Sequence, residues 1–188
     1  MMEYITLLSS LALVSASIAG YRKKRGLAYL FWLVSGLAFL LISTALLISG
    51  LAALELPITP YLGSVYPAFM ALGLIAMRYS WKYYLAFIVL MLLLFGVTSS
   101  SIFQIGLHSV SGLVIVLLPI AYIAKKQANV TALLFTLGGV TISVGGMALA
   151  TISAGKPILP IELVIQLLHP LLFISAFLLA LGVYLTET

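Results

Sequence analysis

Cysteine and aspartate are both absent from the 188 residues, and charged side chains make up only 7% of them. The missing cysteines exclude disulfides, thiol catalysis and thiolate metal sites. The scarcity of charge excludes more. A soluble domain carries about 25% charged residues because its surface faces water, and this chain falls far short. What is present instead is apolar: 64% of the residues are hydrophobic, with a mean hydropathy of +1.29. The expected fold is an all-α, polytopic bundle in a cell membrane. A span takes about 20 apolar residues, so seven take roughly 140 and leave only loops and tails.

Residues 1–188 read as a single transmembrane domain. Apolar runs extend over Tyr4 to Gly20, Leu27 to Gly50, Pro60 to Met77, Tyr84 to Val97, Ile102 to Ala124, Val130 to Ile152 and Ile158 to Leu185. Backbone polar groups must be paired within lipid, so runs of this length are helices rather than the short alternating strands of a barrel. The first run has no small-residue cleavage site behind it and leads into further spans, so it reads as a retained helix.

Charge placement tests the count. With the amino terminus outside and the carboxyl terminus inside, three segments face the cytoplasm: Arg22 to Arg25, Arg78 with Lys82, and Lys125 with Lys126. Eight of the nine lysines and arginines then lie inside, and Lys156 alone lies outside. That asymmetry is the one expected of cytoplasmic loops. It would be lost if one span were miscounted. Tyr79, Trp81, Tyr83 and Tyr84 form part of an inner aromatic belt. The basic blocks suit anionic inner-leaflet lipid and are too small to track a nucleic-acid backbone.

The two halves resemble one another. Ile18 to Lys24 aligns with Ile120 to Lys126, Pro57-Ile58-Thr59-Pro60 with Pro157-Ile158-Leu159-Pro160, and Tyr66-Pro67 with His169-Pro170. The pattern predicts repeat units 1–79 and 102–185 joined by a linker helix, 83–99. One inverting helix between two three-helix units makes the units parallel, related by an axis along the membrane normal. This three-plus-one-plus-three layout resembles that of the sugar-transporting SWEET proteins. The resemblance implies transport by analogy of architecture alone.

Candidate chemistry lies in the second half. Gln104, His108 and Ser111 share one helical face through spacings of four and three, and Glu162, Gln166 and His169 repeat that spacing on the last span. His108 and His169, the only histidines, fall roughly 10 to 14 Å from the outer ends of their helices at 1.5 Å per residue. The two stripes are expected to face one another near the outer side, with Tyr66 contributing from the third span. Ionisable groups within a membrane are costly to bury, which makes them candidates for function.

A redox alternative uses the same pair. Two imidazoles can ligate haem iron, and His108 with Gly112 resembles the His-x3-Gly pattern of b561-like cytochromes. That resemblance implies at most one haem b, with Lys156 offsetting a propionate. Zinc hydrolysis lacks a persuasive base, and a retinal Schiff base lacks a lysine inside the last span. Gly138-Gly139 and Gly145-Gly146 give the sixth span a small-residue face for close packing. Pro67, Pro119 and Pro170 can kink their helices.

Three readings stay open. The first is a small integral membrane carrier or ion pathway using Glu162, Gln166, His169, His108, Gln104 and Tyr66. The second is a haem b- or quinone-associated subunit of an electron-transfer complex. The third is a non-catalytic structural subunit. None supplies an independent enzyme. The partners expected are membrane lipids, a small solute or ion, a second copy of the chain or respiratory-type subunits.

Overall fold

Serine and threonine hydroxyls line the inside of this protein, and leucine, valine and isoleucine coat its outside. Tyrosine and tryptophan aside, every buried polar side chain among the described residues is a serine or threonine. Meanwhile Ile48, Leu93, Leu113 and Val97 stand exposed, Val97 at 84%. Water would punish that distribution; lipid favours it. The computed structural model describes residues 2–153 and 159–186.

Seven α-helices form within those residues: α1 (Met2–Lys24), α2 (Leu27–Ser49), α3 (Thr59–Ala76), α4 (Lys82–Thr98), α5 (Ser101–Ala124), α6 (Leu133–Ser153) and α7 (Ile161–Leu185). Short 3-10 segments, Gly50–Glu55 and Val130–Ala132, lead into α3 and α6. No strand occurs among the described residues. Five helices are long and apolar enough to cross a membrane, so this is a membrane protein. The apolar stretches Lys82–Thr98 and Val130–Gly146 are shorter. At 17 residues, α4 reaches about 25 Å against a hydrocarbon core of about 30 Å. Its run stops at Thr98, where Ser99 turns left-handed with φ 52. The last helix begins at Ile161 rather than near Ile158, behind Pro160. The expected Pro157 and Lys156 lie outside the described residues.

Six helices close into a ring in the order α1, α2, α3, α5, α6, α7, with α7 returning to α1. The fourth helix stays outside, resting mainly on α5. Only Ile88 of α4 is buried, and its Tyr84 hydroxyl reaches Ser111 at 2.9 Å. Chain turns carrying basic residues gather at one end. There Lys24 Nζ donates to the Thr186 carbonyl at 2.6 Å, and Arg78 donates to that of Gln127 at 3.0 Å.

Two rungs tie α2 to α3 and α6 to α7. The Ser35 hydroxyl donates to the Tyr66 carbonyl at 2.7 Å, and the Ser175 hydroxyl to that of Gly138 at 2.9 Å. Trp32 lies over Gly73 and donates to the Met70 carbonyl at 3.2 Å. Phe135 lies over Gly182 in the same way. Close approach of α1 to α2 occurs where Gly36 meets Leu13 and Val14, and of α5 to α6 where Gly139 meets Ile115 and Val116. Interhelical hydrogen bonds of this kind contribute about 0.6 kcal/mol each, with a maximum near ~1.7. Packing of the fully buried aromatic rings is the larger contribution.

Candidate functional site

The ring's interior is stacked in layers along its axis. Nearest the basic end, Trp32 of α2 meets Phe135 of α6 across the bundle, with centroids 5.4 Å apart. Tyr29 supports the indole edge-on at 5.1 Å. Both large rings are nearly inaccessible, Trp32 at 0% and Phe135 at 1%. They form an aromatic floor.

Above this floor lies the polar layer. Tyr66 on α3 stacks on Phe39 of α2 at 4.7 Å and extends its hydroxyl towards Ser175 of α7. No hydrogen bond of sound geometry reaches that hydroxyl, which is wholly buried. The Ser175 proton is already donated to Gly138. His108 reaches inward from α5 towards the backbone of Gly63, one helical turn before Tyr66. Its Nε2 abuts Gly146 of α6 and is likewise buried without a partner. Any side chain at Gly146 would collide with the imidazole.

At the far end Ile42, Leu46 and Ala53 cluster with Leu62 and Leu172. These residues form an apolar cluster towards the end of the ring opposite the aromatic floor, and His108 itself is half-buried.

The remaining expected site residues lie away from this layer. Glu162 and Gln166 are on the exposed flank of α7. His169 sits at the seam between α7 and α1, its Nδ1 3.4 Å from the Thr6 hydroxyl. Gln104 binds the Pro60 carbonyl at 3.4 Å, tying α5 to the start of α3. In place of one facing pair of stripes, the two histidines serve different seams. The reason is the ring order, which inserts α6 between α5 and α7. Lys156 lies outside the described residues. Among the described residues no group of three or more His, Cys, Asp or Glu side chains is placed to hold a metal.

Sequence reasoning passed over Trp32, Phe39, Phe135 and Ser175. Hydropathy treats three of these as ordinary apolar filling, since an aromatic ring facing lipid and one facing the axis score alike. A signal was nonetheless available: Ser35-Gly36 and Gly138-Gly139 are small pairs in the middle of long apolar runs, the composition that brings helices close.

A pocket of about 460 Å³ opens at the basic end, beneath Phe135. Its wall includes Arg78, Tyr122, Lys126 and Asn129, and the aromatic floor separates it from the polar layer. Comparison with protein-family models, curated proteins and solved structures yields no match for the chain.

Proposed function

We propose that the protein is a small carrier in the cell membrane, moving a small polar solute through the centre of the six-helix ring. The observation that carries this reading is a pair of buried polar atoms with no hydrogen-bond partner of sound geometry, the Tyr66 hydroxyl and His108 Nε2, the two such side-chain atoms among the described residues. An unpaired buried polar group costs roughly 1–3 kcal/mol. The two atoms face different turns of α6, the Tyr66 hydroxyl near Ser175 and Gly138 and His108 Nε2 near Gly146, and each is a polar handle that a solute on its way through the ring could use. Imidazole and phenol offer donors and acceptors without fixed charge, which suits an uncharged polyol-like or sugar-like solute.

Three further features support the reading. Trp32 and Phe135 lie on one side of the polar layer and the apolar cluster of Ile42, Leu46 and Ala53 lies towards the other, two groups that would serve as barriers opening in turn. A pocket already leads to the aromatic floor. The contacts also fit two parallel units, α1–α3 and α5–α7, with α4 as the linker. Counterparts on α2 and α6 are 103 residues apart (Trp32 with Phe135, Ser35 with Gly138, Gly36 with Gly139) and those on α1 and α5 are 102 apart (Leu13 with Ile115). Rocking of two such units about a shared axis gives alternating access. The amino terminus outside and the basic end in the cytoplasm complete the reading.

The haem alternative is less well supported. It needs His108 and His169 as a facing axial pair, and the two imidazoles sit at different seams, His169 beside Thr6 and His108 beside Gly63 and Gly146. The exposed position of Glu162 and Gln166 moves them from the pathway to the headgroup region.

The test is flux into liposomes holding the purified full chain, using labelled glycerol, glucose and rubidium as probes. Tyr66→Phe and His108→Ala are expected to lower glycerol or glucose entry by about tenfold or more, the loss of ~1.4 kcal/mol in a rate-limiting interaction. Glu162→Gln is expected to leave it unchanged. Entry no faster than into protein-free liposomes for every probe would remove the carrier reading.

A further inference from the structure

We infer that the pocket at the basic end is a binding site for a phosphate group, either free in solution or on a phospholipid headgroup. The inference goes beyond the carrier reading and does not depend on it. The pocket's volume, about 460 Å³, falls in the ~300–1,000 Å³ range of small-molecule sites. Its charged lining is of one sign: Arg78 and Lys126, with no acidic residue among the described lining residues. A planar guanidinium beside a point-charge ammonium is the combination that grips phosphate oxygens from two directions.

The Arg78 side chain is held by backbone, and the Lys126 main chain closes the end of α5. Arg78 spends one arm on the Gln127 carbonyl at 3.0 Å, which fixes its fork at the pocket wall. Lys126 occupies the left-handed region with φ 56, a conformation that glycine adopts without cost and lysine does not. It is stabilised there by Lys126 N–H to the Ile123 carbonyl at 2.9 Å and Gln127 N–H to that of Tyr122 at 2.8 Å.

Helix ends would ordinarily argue against an anion here, because α3, α5 and α7 all finish at this end and present carbonyls. Several of those carbonyls are occupied. The Leu74 carbonyl accepts from the Tyr122 hydroxyl at 2.8 Å, and that of Ile75 from Tyr79 N–H at 2.8 Å. Thr186 accepts from Lys24 and from the Tyr29 hydroxyl. The start of α6 is the one helix amino end at the pocket, through Asn129, Thr131 and Ala132, and its dipole adds to the positive field. Among the described residues, the charged side chains lining the pocket are both positive.

The experiment measures acylation of Lys126 by mass spectrometry on the full chain. One arm adds inorganic phosphate to protein in a non-ionic detergent, against chloride at matched ionic strength. The other compares nanodiscs of phosphatidylcholine with nanodiscs that also contain phosphatidylglycerol. A free-anion site predicts about tenfold slower acylation with phosphate in detergent, equivalent to ~1.4 kcal/mol. A headgroup site predicts the same slowing only with phosphatidylglycerol. In either case Arg78→Gln abolishes the protection and Arg78→Lys restores part of it, with thermal unfolding confirming that both variants fold. Lys23, outside the pocket, is not protected by phosphate. Acylation unaffected by either additive, or protection that survives in Arg78→Gln, overturns the inference. Tyr66→Phe, expected to stop flux, leaves the protection intact, so this inference and the carrier reading fail separately.

Discussion

Helices α1–α3 and α5–α7 make similar contacts with different side chains, and the differences gather near the axis. Gly36 admits α1 to α2 as Gly139 admits α5 to α6. A serine joins α2 to α3 and another joins α6 to α7, but the donor has changed helix. Where the first unit has an indole that hydrogen-bonds to Met70, the second has a phenyl ring with no polar atom. On α1, Thr6 turns to the α7 seam, while its counterpart 102 residues later, His108, turns to the α3 seam and the axis. A shared frame of small residues and rungs thus carries unequal chemistry. The serine rungs should respond alike in the two units and axial positions should not, while the frame glycines should rank by how closely the facing helix approaches them.

The most severe test of that division is truncation of the floor. Trp32→Ala is expected to cost about 3–5 kcal/mol of stability and Phe135→Ala an amount at the lower end of that range. The indole loses a hydrogen bond worth roughly 1 kcal/mol as well as its packing. Unfolding of the full chain by dodecyl sulfate titration would measure both. Equal losses would show the floor to be mere filling.

Glycine replacement probes the frame at smaller amplitude. A Cβ at Gly139 would come within 2.7 Å of Ile115, and one at Gly36 within 3.1 Å of Val14. Gly139→Ala should therefore destabilise by about 1–2 kcal/mol, since overpacking costs about 1–3 and is partly offset by up to ~1 of helix propensity. Gly36→Ala should be close to neutral by the same arithmetic. Thermal unfolding in detergent distinguishes the two, and a larger loss at Gly36 would reverse the order of closeness.

The smallest effect sharpens the comparison most. Ser35→Ala and Ser175→Ala should each cost about 0.6 kcal/mol in the same titration, the usual value for an interhelical hydrogen bond in a membrane. If the rungs are counterparts, the two losses agree. A loss confined to Ser35 would mean that α6–α7 is held by packing alone and would weaken the case for paired units.

Much of the frame was readable before folding was considered. Apolar runs located seven helices, and Thr98 to Ser101 marked the end of the short fourth one. The contacts suggest another register for α3 and α7 than the alignment of Tyr66 with His169. Tyr66 and Ser175 occupy matching rungs, 109 residues apart, as do Gly73 and Gly182. The third helix has 18 residues and the seventh has 25, and that difference of two turns shifts any register taken from the proline-marked outer ends. Similarly, the spacing of Glu162, Gln166 and His169 suggests one helical face, but in the structure Glu162 and Gln166 are exposed while His169 sits beside Thr6 of α1. Spacing carries no information on which neighbour that face meets, and it meets lipid and α1.

Composition alone determined that the chain lives in a membrane, as helices, because sparse charge cannot cover a wetted surface and unpaired backbone cannot enter lipid. Tertiary structure alone decided which residues face the axis. Inside and outside are equally apolar here, so hydrophobicity ceases to distinguish them. Close packing across glycines and the pairing of a few hydroxyls made that choice, and so brought Tyr66 and His108 to the centre and left Glu162 at the rim.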